Sequence, residues 1–402
     1  MKILYLLPES PYPPQNGPQH HTYGLLRIAA ERYECHVAGF YCGEEGQLRW
    51  RQLQENLPNL QIHLIVPELK GAPRFIQRLL RFLRCHPLIM AGYVSPALVR
   101  WANNFLQENR VALIHVDQFK LAHFWRIGAD IPHLLIPYDA FSLAASRDFK
   151  LSRLLTVKAR ALYKLLSFTK IERKIYPRFS MVSPVSQVDV KWLTSRSPHV
   201  NATVIEIPVP DEFFSAPIAE HQETAPPHII CAGLFNWDAV AQGAIRFFQE
   251  AVPLIRQQFP QTRFSVWGPP PTAELQAVIA QIPQVDCVNW VEDYSGMLKS
   301  AAVYVYPQTC GSGMQTKVQQ AMALGIPVIA CPESLDPLYV TSESQAFVCT
   351  KPTEMAEAAI RLLKSAKLRN EVGAAAREHM KQHFSLHAVA RRLDSVYQTV
   401  SS

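Results

Sequence analysis

The segment from residue 311 to residue 330, GSGMQTKVQQAMALGIPVIA, joins a glycine-containing loop to the start of a predicted helix. Gly311 and Gly313 allow the backbone to approach a ligand closely, and the first amides of a helix have no partners within it. Lys317 lies one turn further on, so its ammonium can reach the same point. Such a helix start binds anions, and a diphosphate would fit there. The alternative is an ordinary capping loop with a solvated lysine.

Polar residues near the ends of predicted strands in the first half of the chain are candidates for handling a hydroxyl group. His115 and Asp117 occur in ALIHVD and Asp139 occurs in IPYDAFS, each just past a predicted strand. A strand-end His or Asp that faces a cleft can activate or orient a hydroxyl. The alternative is a polar residue that caps the next turn. The sequence has no Asp-x-Asp motif and no metal-type histidine cluster, so no metal is predicted.

The elements that must position these residues are short apolar strands that alternate with helices, as in parallel sheets covered on both faces. In the first half, strands are predicted at KILYLL, HVAGF, IHLIV, ALIHV, HLLIP, MVSPV and TVIEI. In the second half they are predicted at HIICAG, RFSVWG, VDCVNW, AVYVYP, PVIAC and AFVC. A proline-rich, acidic stretch separates the two halves. We therefore predict a first domain at 1–207, a linker at 208–226, a second domain at 227–384 and a terminal helix at 385–402.

Length and composition agree with a two-domain α/β enzyme. The chain has 402 residues, and its 48% hydrophobic content is enough to fill ordinary cores. No segment is long and apolar enough to span a bilayer, and the first apolar run ends at Pro8 without a cleavage site. A cytoplasmic protein is expected. The eight cysteines show no CxxC or Cys/His spacing and are expected to be reduced.

The net charge of +7 is unevenly distributed. The segment 70–87 alternates arginines with apolar residues and predicts a basic amphipathic helix at 73–84, and a second basic helical run extends from Lys150 to Arg178. Such stripes attract anionic membrane surfaces or lipid-linked phosphates. Each helix could equally be docked by its apolar face with the cations in water. Nucleic acid is not an expected partner, because no groove-reading or base-stacking motif accompanies the cations.

The donor-type loop and four further segments resemble the retaining nucleotide-sugar glycosyltransferases of the GT-B fold. The loop is similar to a bacterial branch that reads Gly, three variable residues, Lys, Val and then Glu-Ala-Met-Ala-x-Gly-x-Pro-Val. The other segments are MKILYLLPESPYPPQNGPQHHTYGLL, SMVSPVSQVD, CAGLFNWDAVAQGAIRFFQEAVPLI and NWVEDYSGMLKSAAVYVYPQ. The resemblance covers most of the chain. It implies two Rossmann-like domains facing each other across a cleft, with a C-terminal helix that crosses back to the first domain.

The resemblance also implies a set of donor-binding residues, with Lys317 and the helix start neutralising the leaving diphosphate. Gln320 takes the place of a glutamate that binds the ribose hydroxyls, Val291 matches a loop that reads the base, and three residues near the N-terminus match a loop over the phosphates. The implied donor-binding set is Gly17, His20, His21, Val291, Gly311, Ser312, Gly313, Met314, Gln315, Lys317 and Gln320. A histidine at the place of His115 lines the acceptor site in the family, and the implied catalytic residues are His115, Asp139 and Lys317.

Three departures from the family pattern concern the donor site. Ser312 stands where typical members place an acid that touches the transferred sugar, and Gln320 replaces the ribose glutamate. The common Arg and Lys pair is also missing from GLFNWDAV, so Lys317 has to carry more of the phosphate charge.

The expected function is transfer of a sugar from a nucleotide-diphosphate sugar to a hydroxyl of a glycan or lipid-linked acceptor, with retention and with no cofactor besides the donor. The first alternative is a degenerate subunit that binds a nucleotide sugar or glycan, which the neutral residues at 312 and 320 favour. A second alternative is a nucleotide-sugar epimerase of the same fold, against which the basic helices argue.

Overall fold

A computed structural model describes residues 1–65, 76, 79–80, 82–83, 88–152, 155–216, 226–289, 293–310 and 312–402. The chain divides into two compact units. The first unit comprises Met1–Phe149, Leu154–Pro208 and Val389–Ser402, and the second comprises Lys150–Arg153 and Val209–Ala388. The predicted basic helix at 73–84 lies mostly outside the described residues, as do residues 217–225 of the predicted linker.

The first unit is built on a parallel sheet of six strands in the order β3-β2-β1-β4-β5-β6. The strands are β1 (Lys2–Leu7), β2 (Glu34–Phe40), β3 (Gln61–Ile65), β4 (Leu113–Asp117), β5 (His133–Tyr138) and β6 (Met181–Pro184). The α-helices are α1 (Gly17–Ala30), α2 (Gly43–Asn56), α3 (Pro96–Glu108), α4 (Phe141–Leu151), α5 (Leu155–Lys174) and α6 (Gln187–Arg196). Short 3₁₀ turns span Leu88–Tyr93, Phe119–Phe124 and Tyr176–Arg178.

The second unit repeats this plan with the order β12-β11-β10-β7-β8-β9. The strands are β7 (His228–Ala232), β8 (Arg263–Trp267), β9 (Val285–Val288), β10 (Val303–Tyr306), β11 (Val328–Ala330) and β12 (Phe347–Val348). The helices are α7 (Asp211–Ser215), α8 (Asp238–Arg246), a π-helical turn (Phe247–Ala251), α9 (Val252–Gln258), α10 (Ala273–Ala280), α11 (Tyr294–Lys299), α12 (Thr316–Ala323), α13 (Pro332–Leu335), a 3₁₀ turn (Asp336–Leu338), α14 (Pro352–Lys364) and α15 (Ala366–Phe384).

The last helix, α16 (Leu386–Ser401), has most of its residues in the first unit. Its Tyr397 is buried, and the Tyr397 hydroxyl contacts the hydroxyl of Tyr5 in β1. The Asp394 carboxylate of the same helix accepts a 2.7 Å hydrogen bond from the Tyr33 hydroxyl. The chain therefore returns to its first unit at the end, as the sequence resemblance implies.

The predicted α/β fold class is confirmed, but one predicted strand is absent. The TVIEI segment at 203–207 is extended without being a strand, and its Thr203 amide donates to the carbonyl oxygen of Val182 at 3.1 Å. The segment therefore runs beside β6 with only isolated bridging contacts. Alternation of apolar residues indicates an extended backbone, whereas a ladder also needs a neighbouring strand in register.

Each sheet has one point where the strand order reverses, and this point determines where ligands bind. In the first unit β1 lies between β2 and β4, and in the second unit β7 lies between β8 and β10. In the first unit the chain adds β2 and β3 on one side of β1 and then crosses over to add β4 on the other side. In the second unit it adds β8 and β9 on one side of β7 and β10 on the other. Such a reversal opens a crevice at the carboxyl ends of the central strands. The loops that follow β1, β4, β7 and β10 are therefore the ones to examine for function.

Candidate functional site

The loop after β10 in the second unit leads from Pro307 to the start of α12 at Thr316. Gly313 has φ 71°, a left-handed conformation that a side chain disfavours, which explains a glycine at this position. The helix begins at Thr316, so Gly313, Met314 and Gln315 belong to the loop, and Gln315 is the N-cap residue. Gly311 and Val291 lie outside the described residues.

The loop is held from two sides. The Tyr306 hydroxyl lies 2.8 Å from the side-chain oxygens of both Gln308 and Gln315, which ties the beginning of the loop to its end. Helix α8 packs so closely that a Cβ atom on Gly243 would lie 1.9 Å from the Pro307 carbonyl oxygen. Only a glycine allows this approach, and the loop is therefore placed by backbone contact and not by flexible side chains.

The N-terminus of α12 is open to an anion. The Gln315 side chain makes no capping hydrogen bond. The Val318 amide donates to the Gln315 carbonyl oxygen at 3.0 Å, so the amides of Thr316 and Lys317 are the ones left for an anion. The Ser312 hydroxyl is buried and has no hydrogen-bond partner among the described residues. Lys317 is half-buried, and burial lowers the pKa of its ammonium. An anion next to Lys317 would offset this cost, since it favours the charged form.

Gln320 lies one turn further along α12 and is buried, with 9% of its surface exposed. A neutral amide tolerates such burial better than a carboxylate does, because the carboxylate loses more hydration. Ser312, Lys317 and Gln320 thus lie on one short segment around the helix start.

Three of the predicted donor-binding residues, Gly17, His20 and His21, lie at the start of α1. Asn16 caps α1, since its side-chain oxygen accepts from the Gln19 amide at 3.0 Å, and Gly17 is the first helical residue. His20 is half-buried, and burial lowers its pKa. His21 is 1% exposed, and burial lowers its pKa to about 3. His21 is therefore uncharged at neutral pH when no anion is bound beside it.

The prediction that His115 lies just past a strand is wrong. His115 is inside β4 and 1% exposed, with its ring stacked on Tyr5 at 4.4 Å between centroids. Its Nδ1 lies 2.8 Å from the Tyr397 hydroxyl, and burial lowers its pKa to about 3. A buried, neutral histidine between two tyrosines holds the last helix to the sheet.

Asp117 and Asp139 do lie at strand ends, as expected. Asp117 is the last residue of β4, where its Oδ2 accepts a 2.8 Å hydrogen bond from the Thr22 hydroxyl of α1. Burial raises the Asp117 pKa to about 7, and the nearby Glu9 adds to the rise. Asp139 directly follows β5 and is half-buried. Both residues are at the carboxyl end of the sheet, which is the end where parallel α/β sheets generally bind ligands.

A cavity of ≈ 540 Å³ lies within the first unit, beyond the carboxyl ends of β1 and β2. Its polar lining includes Glu9, Gln15, Tyr41, Glu45 and Tyr93. The sequence reasoning missed these residues, although Glu9 and Tyr41 follow strands that it predicted. These residues could have been found by taking every residue that follows the end of a predicted parallel strand as a candidate, whatever its type.

The only arginine among the cavity-lining residues is held by the backbone of the first loop. The Nη2 of Arg49 donates to the carbonyl oxygens of Pro13 at 2.9 Å and Ser10 at 3.4 Å. Its guanidinium therefore braces the loop that follows β1. Among the described residues, no group of three or more His, Cys, Asp and Glu side chains is placed to hold a metal ion.

Residues 226–365 match the protein family described as Glycosyl transferases group 1. This match covers the sheet of the second unit together with α12, and it confirms the family resemblance for that part of the chain. No curated protein is significantly similar to the chain in sequence.

Solved structures with the same fold cover nearly the whole chain. Anabaena HepE in complex with UDP and glucose is 15% identical with a TM-score of 0.68 and covers 99% of this chain and 100% of its own. Sucrose-phosphate synthase from Thermosynechococcus elongatus is 15% identical with a TM-score of 0.71 and covers 99% of each. TarM from S. aureus, in complex with fondaparinux, α-GlcNAc-glycerol and UDP, is 9% identical with a TM-score of 0.65 and covers 99% of this chain and 100% of its own. These likenesses confirm the predicted GT-B fold.

Proposed function

We propose that this chain is a glycosyltransferase that moves a sugar from a nucleotide-diphosphate sugar to a hydroxyl acceptor with retention at the anomeric carbon. The observation that carries the proposal is the uncapped start of α12 with Lys317 beside it, inside the segment that matches the Glycosyl transferases group 1 family. Structures of the same fold were solved with UDP and glucose and with UDP-glucose, which supports a nucleotide-sugar donor.

The helix start and Lys317 stabilise the leaving diphosphate. Breaking the bond between sugar and phosphate develops negative charge on the leaving oxygen, and preorganised amide donors with a fixed cation stabilise that charge without solvent rearrangement. Ser312, whose buried hydroxyl lacks a partner among the described residues, donates to a phosphate oxygen or to a sugar hydroxyl. Gln320 binds the ribose hydroxyls as donor and acceptor.

We infer retention from the resemblance to the retaining family. The leaving phosphate takes the acceptor proton on the face of the sugar from which it departs, so the enzyme needs no strong base on the opposite face. This agrees with the first unit, where His115 is buried and its pKa is lowered to about 3, so that its ring is a weak base. No resident cofactor takes part, and the nucleotide sugar is the only bound group the reaction needs.

The acceptor binds in the cavity beyond β1 and β2. Its carboxylates and amides can accept and donate to sugar hydroxyls, and the ring of Tyr41 or Tyr93 can cover an apolar sugar face. Asp139, at the end of β5, is a further contact for a hydroxyl. The acceptor is a growing polysaccharide, a glycan or a glycolipid, and the enzyme acts in the cytoplasm on the inner face of an anionic membrane.

A second candidate function is a nucleotide-sugar-binding subunit without catalysis. The neutral side chains of Ser312 and Gln320, at places where the resembled family has acids, favour it. Both candidates bind a nucleoside diphosphate, and only the transferase breaks the bond to the sugar.

Two measurements distinguish these functions. A thermal-shift screen against nucleoside diphosphates and their sugars identifies the nucleotide, because a ligand that binds the folded state raises its stability. Release of nucleotide from the best donor is then measured without acceptor, since active transferases hydrolyse their donors slowly. Stabilisation with release supports the transferase, whereas stabilisation without release supports the subunit. No stabilisation by any of these compounds would overturn both.

A further inference from the structure

More than half of the exposed large hydrophobic side chains in the described part of the chain lie in two short stretches, 76–83 and 149–166. The second stretch includes the start of α5, the helix Leu155–Lys174. Contiguous apolar surface of this kind is uncommon on a soluble protein and marks a site of interaction.

Helix α5 is apolar on two opposite faces. Ala161, Phe168 and Ile171 are buried and pack it on the first unit. On the other side, Leu155, Leu162 and Leu166 are 83%, 42% and 53% exposed. With Ala159, which is also exposed, they follow one another at intervals of four, three and four residues and form a single outward stripe. Packing within the unit explains the inner face and leaves the outer stripe without a role.

The stretch 76–83 adds apolar side chains to the same surface. The ring of Phe82 stacks on Tyr163 of α5 with centroids 5.3 Å apart. Its neighbours Leu79, Leu80 and Leu83 are 48%, 44% and 68% exposed. We call the combined area the leucine surface, and it consists of Leu79, Leu80, Phe82, Leu83, Leu155, Leu162 and Leu166. It is wider than one helix face because the contact between Phe82 and Tyr163 joins the two segments.

The exposed ionised side chains that α5 adds around this surface are cations. Helix α5 carries Lys158, Arg160, Lys164, Lys170, Arg173 and Lys174. Its one acid, Glu172, is 3% exposed, and its carboxylate faces inward, where it accepts from the Ser142 amide at 3.0 Å. Burial raises the Glu172 pKa to about 7. The outer side of α5 thus combines exposed leucines with positive charge, without an exposed acid.

We propose that the leucine surface docks this protein on a bilayer with anionic headgroups, with the leucines of α5 entering the acyl boundary. Apolar side chains that enter the lipid and cations that meet the phosphates are the two requirements of an interfacial helix. A second copy of the chain is a poorer occupant, because the net charge of +7 and the shared cations would repel a like surface. Among the described residues, no helix is long and apolar enough to cross a membrane. The inference rests on the proposed function, since it supplies access to a lipid-linked acceptor.

Vesicle sedimentation tests the proposal. Liposomes of phosphatidylcholine with and without phosphatidylglycerol are mixed with the wild type and with the triple variant Leu155→Gln, Leu162→Gln, Leu166→Gln. The variant should partition more than about tenfold more weakly, because three inserted side chains are lost. A triple variant of exposed residues elsewhere, Leu48→Gln, Val99→Gln, Leu254→Gln, is the matched control and should bind as the wild type does.

A second variant separates insertion from charge attraction. Lys158→Gln, Arg160→Gln, Lys164→Gln should lose the preference for phosphatidylglycerol, and raising the salt concentration should have the same effect on the wild type. Equal partitioning of the wild type and the leucine variant would overturn the proposal, as would failure of the wild type to bind either vesicle. A change in oligomeric state of the leucine variant without lipid would assign the surface to a protein partner instead. Thermal shift by the nucleotide should be unchanged in every variant, so failure of docking and failure of the donor site remain distinguishable.

Discussion

Replacement of Lys317 by methionine tests the phosphate site most directly. Methionine keeps most of the apolar stem and removes the ammonium, so packing around the half-buried side chain changes little. A charge pair about 4 Å apart is worth roughly 4 kcal/mol at the effective dielectric constant of about 20 that suits partly buried sites. Because the leaving oxygen carries only part of its charge in the transition state, the expected loss is about 2 to 4 kcal/mol, or roughly 30-fold to 1,000-fold in turnover.

The assay is nucleotide release from the donor that the thermal-shift screen identifies, with kcat and KM measured separately. The variant Lys364→Met is the control, since this lysine is exposed near the end of α14 and should be neutral to turnover. Affinity for the nucleoside diphosphate should fall in Lys317→Met while affinity for the nucleoside alone stays the same. A kcat within about threefold of the wild type would refute the placement of the diphosphate at the start of α12.

Two further predictions concern the donor ribose and the buried carboxyl group of the first unit. Affinity for the nucleoside diphosphate should fall in the order Glu, Gln, Ala at position 320. The Ala variant should bind more weakly than the wild type by roughly 1 kcal/mol or more. Equal affinities of the three proteins, measured by calorimetry, would show that Gln320 is not in the donor site. Because burial raises the pKa of Asp117 to about 7, above the value of about 3.9 for an unfolded chain, its ionisation opposes folding at high pH. Asp117→Asn, which can still accept from Thr22, should therefore raise the free energy of unfolding by on the order of 2 to 4 kcal/mol at pH 8. This gain should shrink as the pH falls through 7 and disappear near pH 4, and denaturant unfolding that shows no gain at pH 8 would contradict the raised pKa.

The pattern of residues was enough to predict two α/β units and the glycine-containing loop that leads into α12. Strand and helix periods are local properties, and the combination of Gly313, Lys317 and an apolar strand after the helix is contained within one short segment. The exact start of α12 was not predictable, because Gln315 becomes the N-cap residue where its side chain meets Tyr306. That contact depends on a strand outside the segment.

Only the tertiary structure decided what surrounds each polar residue of the predicted site. His115 and Asp117 are two residues apart in β4 and both are buried, yet one stacks on Tyr5 in mid-strand and the other ends the strand beside α1. The ends of β1 and β2 could indicate single residues of the cavity, but its lining comes from loops that are distant in sequence, so no local pattern could show that these loops enclose a space. The outer stripe of α5 shows the same limit: helical periodicity places the leucines on one face, and only packing against the sheet determines that this face is the one left exposed.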